Sequence, residues 1–571
     1  MKQAKKTWAL LLILIMIPGL FGCGNKNGLQ LGDSVENETE QEVLVTRLSN
    51  VQKDTDLNVM LETPVLTLDP QMAMDGASFE VIANYTDGLM QMDENGRTVN
   101  ALCQSYKLSE DGRIYTFTIH RNANWSNGEP VTAEDFVFAW RRAVDPANAC
   151  EYAYMLSDIG RIKNAAEIIS GEMDKSELGV VALDEKTLQV ELEEPVSFFL
   201  SLLYFPTFYP VNEEFYRACG ADFGTSPKTV LSNGAFVLDA YEPGCTAFHL
   251  SKNEDYYNAK RIKLSGIGYQ VIQDSQLAML CYERGTLDVA LVTGDEAALA
   301  SHDIDFERVG TGCLWYVTPN LELAELKNLK LRKALTMAID REQIVREVLQ
   351  DGSKATYTVV PQQFVTGPDG NDFAAEQNKY EEVCVYNIEQ AEEYWNKALA
   401  ELGVTELTLE LLVDADDAPQ MVAEELKAQW EKALPGLIVT VITEPKNRRV
   451  EAMQEGEFQL GLTRWGPDYA DPVTYLGMFV GDNPYNYAGW SNEDYDAMLE
   501  QCTIGRLRNM AKKRWKTLGE AENLVMEDAV IFPLYTQTNA ALVSSDVMGV
   551  EFHPLAIPRV FKDTVKQNAK K

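Results

Sequence analysis

Asp468 and Asp471 stand three residues apart in the run Arg464-Trp465-Gly466-Pro467-Asp468-Tyr469-Ala470-Asp471-Pro472, and a pair of carboxylates is the usual equipment for hydrolytic acid–base work. Nothing in the sequence places these two across a scissile bond. No Ser-His-Asp or His-Glu-x-x-His pattern accompanies them, so the chain is expected not to be an enzyme. Asp471, which precedes a proline, reads as turn chemistry. The four histidines, His120, His249, His302 and His553, are far apart and form no helix-spaced pair, so no metal site is expected. Eight cysteines follow Cys23: Cys103, Cys150, Cys219, Cys245, Cys281, Cys313, Cys384 and Cys502. Without a Cys-x-x-Cys they lack the zinc and thioredoxin signatures, and their spacing leaves disulfides open.

Cys23 has a chemistry of its own. Lys2, Lys5 and Lys6 precede an apolar run from Trp8 to Ile17, followed by Pro18 and Leu20-Phe21-Gly22-Cys23. The order basic, apolar, small, cysteine is that of a processed export segment, and the apolar run is too short for a comfortable membrane span. It resembles the signal of bacterial lipoproteins, which implies removal of residues 1–22 and acylation of Cys23. Residues 23–54 carry Asp33, Glu36, Glu38, Glu40 and Glu42 with almost nothing to bury, as expected of a flexible acidic tether. Loss of the three lysines takes the formal charge from −37 to about −40, which repels nucleic acid and anionic lipid heads. Lipid chains, not charge, must then hold the chain at a membrane.

The remaining 500 or so residues exceed what one core organises, so two or three domains are expected. Strand-like and helix-like segments mix from Leu57 onward without a repeating period, which predicts an α/β architecture. Alternation at Tyr115, Phe117 and Ile119, at Leu188, Val190 and Leu192, and at Leu407, Leu409, Leu411 and Val413 marks half-buried strands. Thr132 with Asp135 caps one helix, Ser491 with Asp494 another, and the stretch from Asn387 to Gly403 has both a cap and a stop.

The segment from Asn124 through Trp125, Asn127-Gly128, Pro130, Thr132 and Asp135 to Trp140 reads physically as a strand end, a turn and a capped helix. It resembles the signature of the large peptide- and nickel-type solute-binding proteins that serve ABC importers. Three further segments resemble the same family in the right order: Leu231 to Leu238, Leu331 to Arg341, and Arg464 to Pro472. The resemblance implies a two-lobed periplasmic-binding-protein-like fold (type II, cluster C) with an inserted domain and a hinge cleft. Residues 55–90, 228–312 and 535–571 would form lobe I, residues 91–227 the inserted domain, and residues 313–534 lobe II. It implies a monomer on the extracytoplasmic face, tethered to the membrane, that delivers short peptides to ABC permease subunits without a cofactor.

In oligopeptide binders of this family the aspartate of Trp-x-x-Asp-Tyr holds the ligand's α-ammonium, which assigns that role to Asp468, with Trp465 and Tyr469 beside it. The same resemblance has Arg464 to Gly466 and Asp75-Gly76-Ala77 flank the peptide and bond its main chain as strands do. Tyr316, Tyr535 and Trp315 fall near hinge and cleft, where aromatic faces could line pockets or simply fill core. Departures limit the transfer. Dipeptide-devoted relatives carry a basic residue near Glu451 to Gly456, where this chain has Met453 and Glu455, with Arg448 and Arg449 upstream. Leu462 stands where some oligopeptide binders have arginine, and Cys313 falls where some relatives carry a disulfide cysteine, but the usual partner position is Gly466 here, so that bridge is expected to be absent. An oligosaccharide, an opine, haem or a nickel chelate remain alternative ligands, and peptide sensing without transport an alternative role, because fold alone does not settle function.

Overall fold

The computed structural model describes residues 56–93, 97–196, 198–376, 381–481 and 483–567. Cys23, the signal segment and the tether lie outside the described residues.

One sheet of eleven strands runs through the chain. Leu437–Glu444, Leu407–Asp414 and Leu460–Trp465 form one end, and Val289–Val292, Leu57–Leu61, Gly266–Val271, Ala247–Lys252 and Phe236–Ala240 form the other. Between them lie two long antiparallel strands, Phe306–Pro319 and Phe532–Val543. Their pairing breaks between Gly310 and Leu314: Phe306 to Gly310 face residues 538–542, whereas Leu314 to Val317 face residues 532–536. The break has a local cause. Gly312 has φ of +69°, and a Cβ there would lie 2.8 Å from Pro467 Cγ and 2.9 Å from the Pro554 carbonyl oxygen. A separate antiparallel sheet of Cys103–Leu108, Ile114–Ile119, Thr187–Glu191 and Val180–Asp184 lies within residues 91–227.

The expected alternation is present. Tyr115, Phe117 and Ile119 are buried, as are Leu188 and Val190, while Leu192 pairs with Ile162 as an isolated bridge beyond its strand. Thr132 and Asp135 form a reciprocal capping box on the helix Ala133–Val144, and Asn387 and Gly403 bound Ile388–Leu402. One cap differs: the helix Glu493–Thr503 is capped by Asn492, which accepts from the Asp494 and Tyr495 amides, and Ser491 lies one residue outside. An asparagine side chain reaches the same amides, and the backbone leaves the helix there.

Three of the four family-like segments fasten the architecture. Asp135 accepts from the Trp125 indole N–H at 3.0 Å, which ties the strand end to the helix; burial pushes its carboxyl up to about 6. Asn233 accepts from the Asp87 amide, and a Cβ on Gly234 would lie 2.8 Å from the Tyr85 carbonyl carbon. Arg332 donates to the carbonyls of Leu326, Lys327 and Asp528, and Arg341 to those of Thr336, Ile339, Cys384 and Pro533. Each guanidinium thus ties together backbone carbonyls from several segments. Near the C-terminus, Arg559 pairs with Glu80, and Lys562 with Asp87. The eight described cysteines are all free. Among the described residues no helix is long and apolar enough to cross a membrane.

Candidate functional site

The strand Leu460–Trp465 pairs Arg464 with Trp315 and Trp465 with Leu314, then gives way to the loop that carries both aspartates. Asp471 belongs to the framework. Its two carboxylate oxygens accept from Arg514 Nη1 and Nη2 at 2.8 Å each, one of them also takes the Val473 amide, and both side chains are buried. The turn reading of Asp471 therefore holds locally and is only half of its role: a bidentate pair 43 residues apart clamps the loop.

Asp468 is placed differently. The Asp468 amide donates to Thr474 Oγ1 at 3.1 Å, which fixes the backbone, while the carboxylate is half-buried and accepts from the Tyr154 hydroxyl at 3.3 Å. Among the described residues no cation pairs with it. Burial pushes its carboxyl up to about 6, against the smaller opposing effect of the Tyr154 hydrogen bond. Tyr152, Tyr154 and Tyr485 gather round this charge. Burial raises the phenol of each, and the Asp468 carboxylate raises it further. Tyr152 and Tyr154 have ring centroids 5.9 Å apart, and Trp465 meets Tyr485 edge-on at 4.8 Å. The Trp465 indole N–H is buried and finds no acceptor among the described residues. The site therefore offers an unpaired anion and, three residues earlier, an unpaired donor. Both states are costly until a ligand supplies a cation and an acceptor.

The expected residues divide. Asp468, Trp465, Gly466 and Tyr469 lie together; Tyr469 is buried and stacked on Phe198, with centroids 4.9 Å apart. Arg464 is exposed, lies over the Trp315 ring at 5.5 Å and donates to Gln537. Tyr535 is buried and stacked on Trp315, and Tyr316 is buried between Thr463 and Pro533, so both are core residues in this structure. Asp75, Gly76 and Ala77 do not form a strand. Asp75 is the N-cap of the helix Gly76–Tyr85, its carboxylate accepting from the Ser78 amide and hydroxyl at 2.9 and 2.7 Å. The capping carboxylate satisfies an amide of the first helical turn that has no partner within the helix.

The basic residues upstream are engaged elsewhere. Arg449 is buried against Asp414 and Thr463, and Arg448 pairs with Glu451 on the surface. A Cβ on Gly466 would meet Cys313 Sγ at 3.3 Å, so the two positions do face each other even though no bridge is formed. Tyr152, Tyr154 and Tyr485 are the residues sequence reasoning missed. Tyr154 lies 314 residues from Asp468, and no periodicity or spacing signals that contact.

Two sheet blocks joined by two crossing strands, with a site of unpaired recognition groups, define a two-lobed receptor of the extracytoplasmic solute-binding class. Residues 97–487 match the family described as bacterial extracellular solute-binding proteins, family 5. The chain is similar to the dipeptide-binding protein of Lactococcus lactis, 32% identical over 90% of this chain and 94% of that protein. Among solved structures it resembles Listeria monocytogenes OppA bound to peptide, with a TM-score of 0.73 and 31% identity over 90% of this chain and 99% of that one. It also resembles the pheromone receptor PrgZ, with a TM-score of 0.74 and 34% identity over the same shares. The chain belongs to family 5 of the bacterial extracellular solute-binding proteins, a family of binding proteins and not of enzymes.

Proposed function

We propose that this chain is a lipid-anchored receptor that captures short peptides by their free α-ammonium at Asp468 and passes them to an ABC permease. The observation that carries the reading is the half-buried, cation-free carboxylate of Asp468 beside the unsatisfied indole N–H of Trp465. An α-ammonium presents the matching cation for Asp468. An oligosaccharide would need stacking faces but no anion, so the charge of Asp468 favours the peptide. Relatives described as dipeptide- and oligopeptide-binding support the same ligand class. For the other end of the peptide, Arg464 and Lys446 are exposed cations with no carboxylate in ion-pair contact among the described residues. In this reading lobes I and II close about the break in pairing at Gly310 to Leu314 and its counterpart on Phe532–Val543.

A cognate peptide at saturation should compact the protein and raise its melting temperature, because only the closed state makes the full contact set. Small-angle scattering and thermal unfolding across a diverse peptide library test this. An unchanged radius and melting point throughout would sink the peptide reading.

Affinity should depend on pH in a defined direction. Burial pushes the Asp468 carboxyl up to about 6, above its ordinary value of 3.8. Below pH 6 an incoming ammonium must displace a proton, so affinity should fall about tenfold per pH unit from there towards pH 4. Calorimetry at pH 7, 6 and 5 checks the slope, and Asp468→Asn should flatten it.

The anchor rests on Cys23. Cys23→Ser should release the chain from the membrane fraction, since an acidic body of about −40 charge has no affinity of its own for lipid. Retention of the variant in high salt would place the anchor elsewhere.

A further inference from the structure

The tyrosines round Asp468 feel a second carboxylate. Glu151 directly precedes Tyr152, is exposed, and its side chain makes no hydrogen bond or ion pair among the described residues. Burial raises the phenols of Tyr152 and Tyr485, Asp468 and Glu151 raise both further, and Asp75 adds to the effect on Tyr152. Tyr485 therefore lies within Coulombic reach of Asp468 and Glu151 at once, although the two carboxylates come from parts of the chain more than 300 residues apart.

The frame that presents Glu151 is fixed on both sides. Tyr152 meets Phe79 edge-on at 5.7 Å and Phe205 at 4.6 Å between centroids, and the Cys150 thiol donates to the Gln71 carbonyl at 2.9 Å. Across the site, the Tyr485 amide donates to Asn483 Oδ1 at 2.8 Å, and its ring packs on Trp465, whose buried indole N–H lacks an acceptor. The charges that could have engaged Glu151 are committed elsewhere. Arg142 acts on Cys150, next to Glu151, yet gives Nη1 to Asp69 and Gln71 at 2.8 Å each and Nη2 to Asp69. Asp75 is occupied as a helix cap by the Ser78 amide and hydroxyl. Glu151 is left with its charge unpaired, like Asp468.

Two unpaired anions among phenol rings favour a ligand that carries two cations with an apolar stem between them. A peptide that begins with a basic residue has this pattern: the α-ammonium is one cation, the side-chain head is the other, and the methylene stem can lie along the faces of Tyr152 and Tyr485. A neutral first side chain leaves Glu151 to water, and an acidic one is repelled by it. We propose that Glu151 is a specificity-determining residue, selecting peptides whose first residue is lysine or arginine by pairing with that side chain while Asp468 holds the α-ammonium. The inference rests on the amine site proposed above and adds to it a preference for the first side chain.

Calorimetry on the full mature chain with two pairs of tetrapeptides tests this: Lys-Ala-Ala-Ala against norleucine-Ala-Ala-Ala, and Ala-Lys-Ala-Ala against Ala-norleucine-Ala-Ala. Lysine in the first position should bind about fivefold tighter than norleucine, as a partly exposed ion pair allows. In the second position the difference should stay below about twofold, which separates a pairing at Glu151 from the general attraction of a cation to an acidic chain. Glu151→Gln should bring the first-position ratio close to one, and Glu151→Arg should reverse it. Equal binding of the first pair, the same advantage for lysine in either position, or a ratio unchanged in Glu151→Gln would overturn the proposal and leave the amine site at Asp468 standing. No binding by any of the four peptides would overturn the peptide reading and this inference with it, so the two failures are told apart.

Discussion

Asp468→Asn is expected to weaken a free peptide by more than a hundredfold, on the order of 3 kcal/mol, because it leaves the ligand ammonium in a closed cleft without its anion. N-acetylation of the peptide should cost the wild-type receptor a similar amount, since it removes the cation and strands the carboxylate. Combining the two should cost much less than their sum, because each change removes the other's unpaired partner. Calorimetry on the four combinations settles the matter: additive losses, or equal binding of free and acetylated peptides, would show that Asp468 does not hold the amine. The same substitution should stabilise the empty protein at pH 7. The folded-state pKa of Asp468 is raised, so holding its charge above pH 6 opposes folding, and that cost vanishes as the pH falls or when asparagine removes the charge. A receptor that is more stable and yet cannot bind is the expected signature of a residue kept for its ligand.

The second large effect lies three residues away and has the opposite character. Arg514→Leu should destabilise the folded state by about 3–5 kcal/mol, since it leaves the buried Asp471 carboxylate without its bidentate partner. Peptide affinity should fall with it, because Asp471 holds the loop on which Asp468 stands. Adding Asp471→Leu should recover most of the lost stability, as replacing a whole buried pair is far milder than breaking it. Urea unfolding of the two variants provides the comparison. A single variant as stable as the parent would mean that Asp471 is solvated in the folded protein and does not clamp the loop.

The two aspartates show how the sequence and the tertiary structure divide the information. In sequence they are near-equivalent, and the resemblance alone singled out Asp468. In the folded chain the difference is physical: Arg514 reaches Asp471, and among the described residues no cation reaches Asp468. Asp75 shows a short-range rule at work, since an aspartate three residues before a serine makes the cap of the helix Gly76–Tyr85.

What the sequence determined by itself is short-range or periodic. The capping box at Thr132 and Asp135, the stop at Gly403 and the strand alternation depend on neighbours within a few residues, so the residue types are enough to write them. The α/β class and the two-lobed plan were legible through the ordered family-like segments, three of which fasten the architecture through buried hydrogen bonds. The tertiary structure alone decided which charges were left over. Tyr154 meets Asp468 across 314 residues, and Arg514 meets Asp471 across 43. Whether a carboxylate is paired or waiting depends on which distant side chains the packed lobes bring within about 3 Å, and that distance is set by the whole fold, not by spacing along the chain.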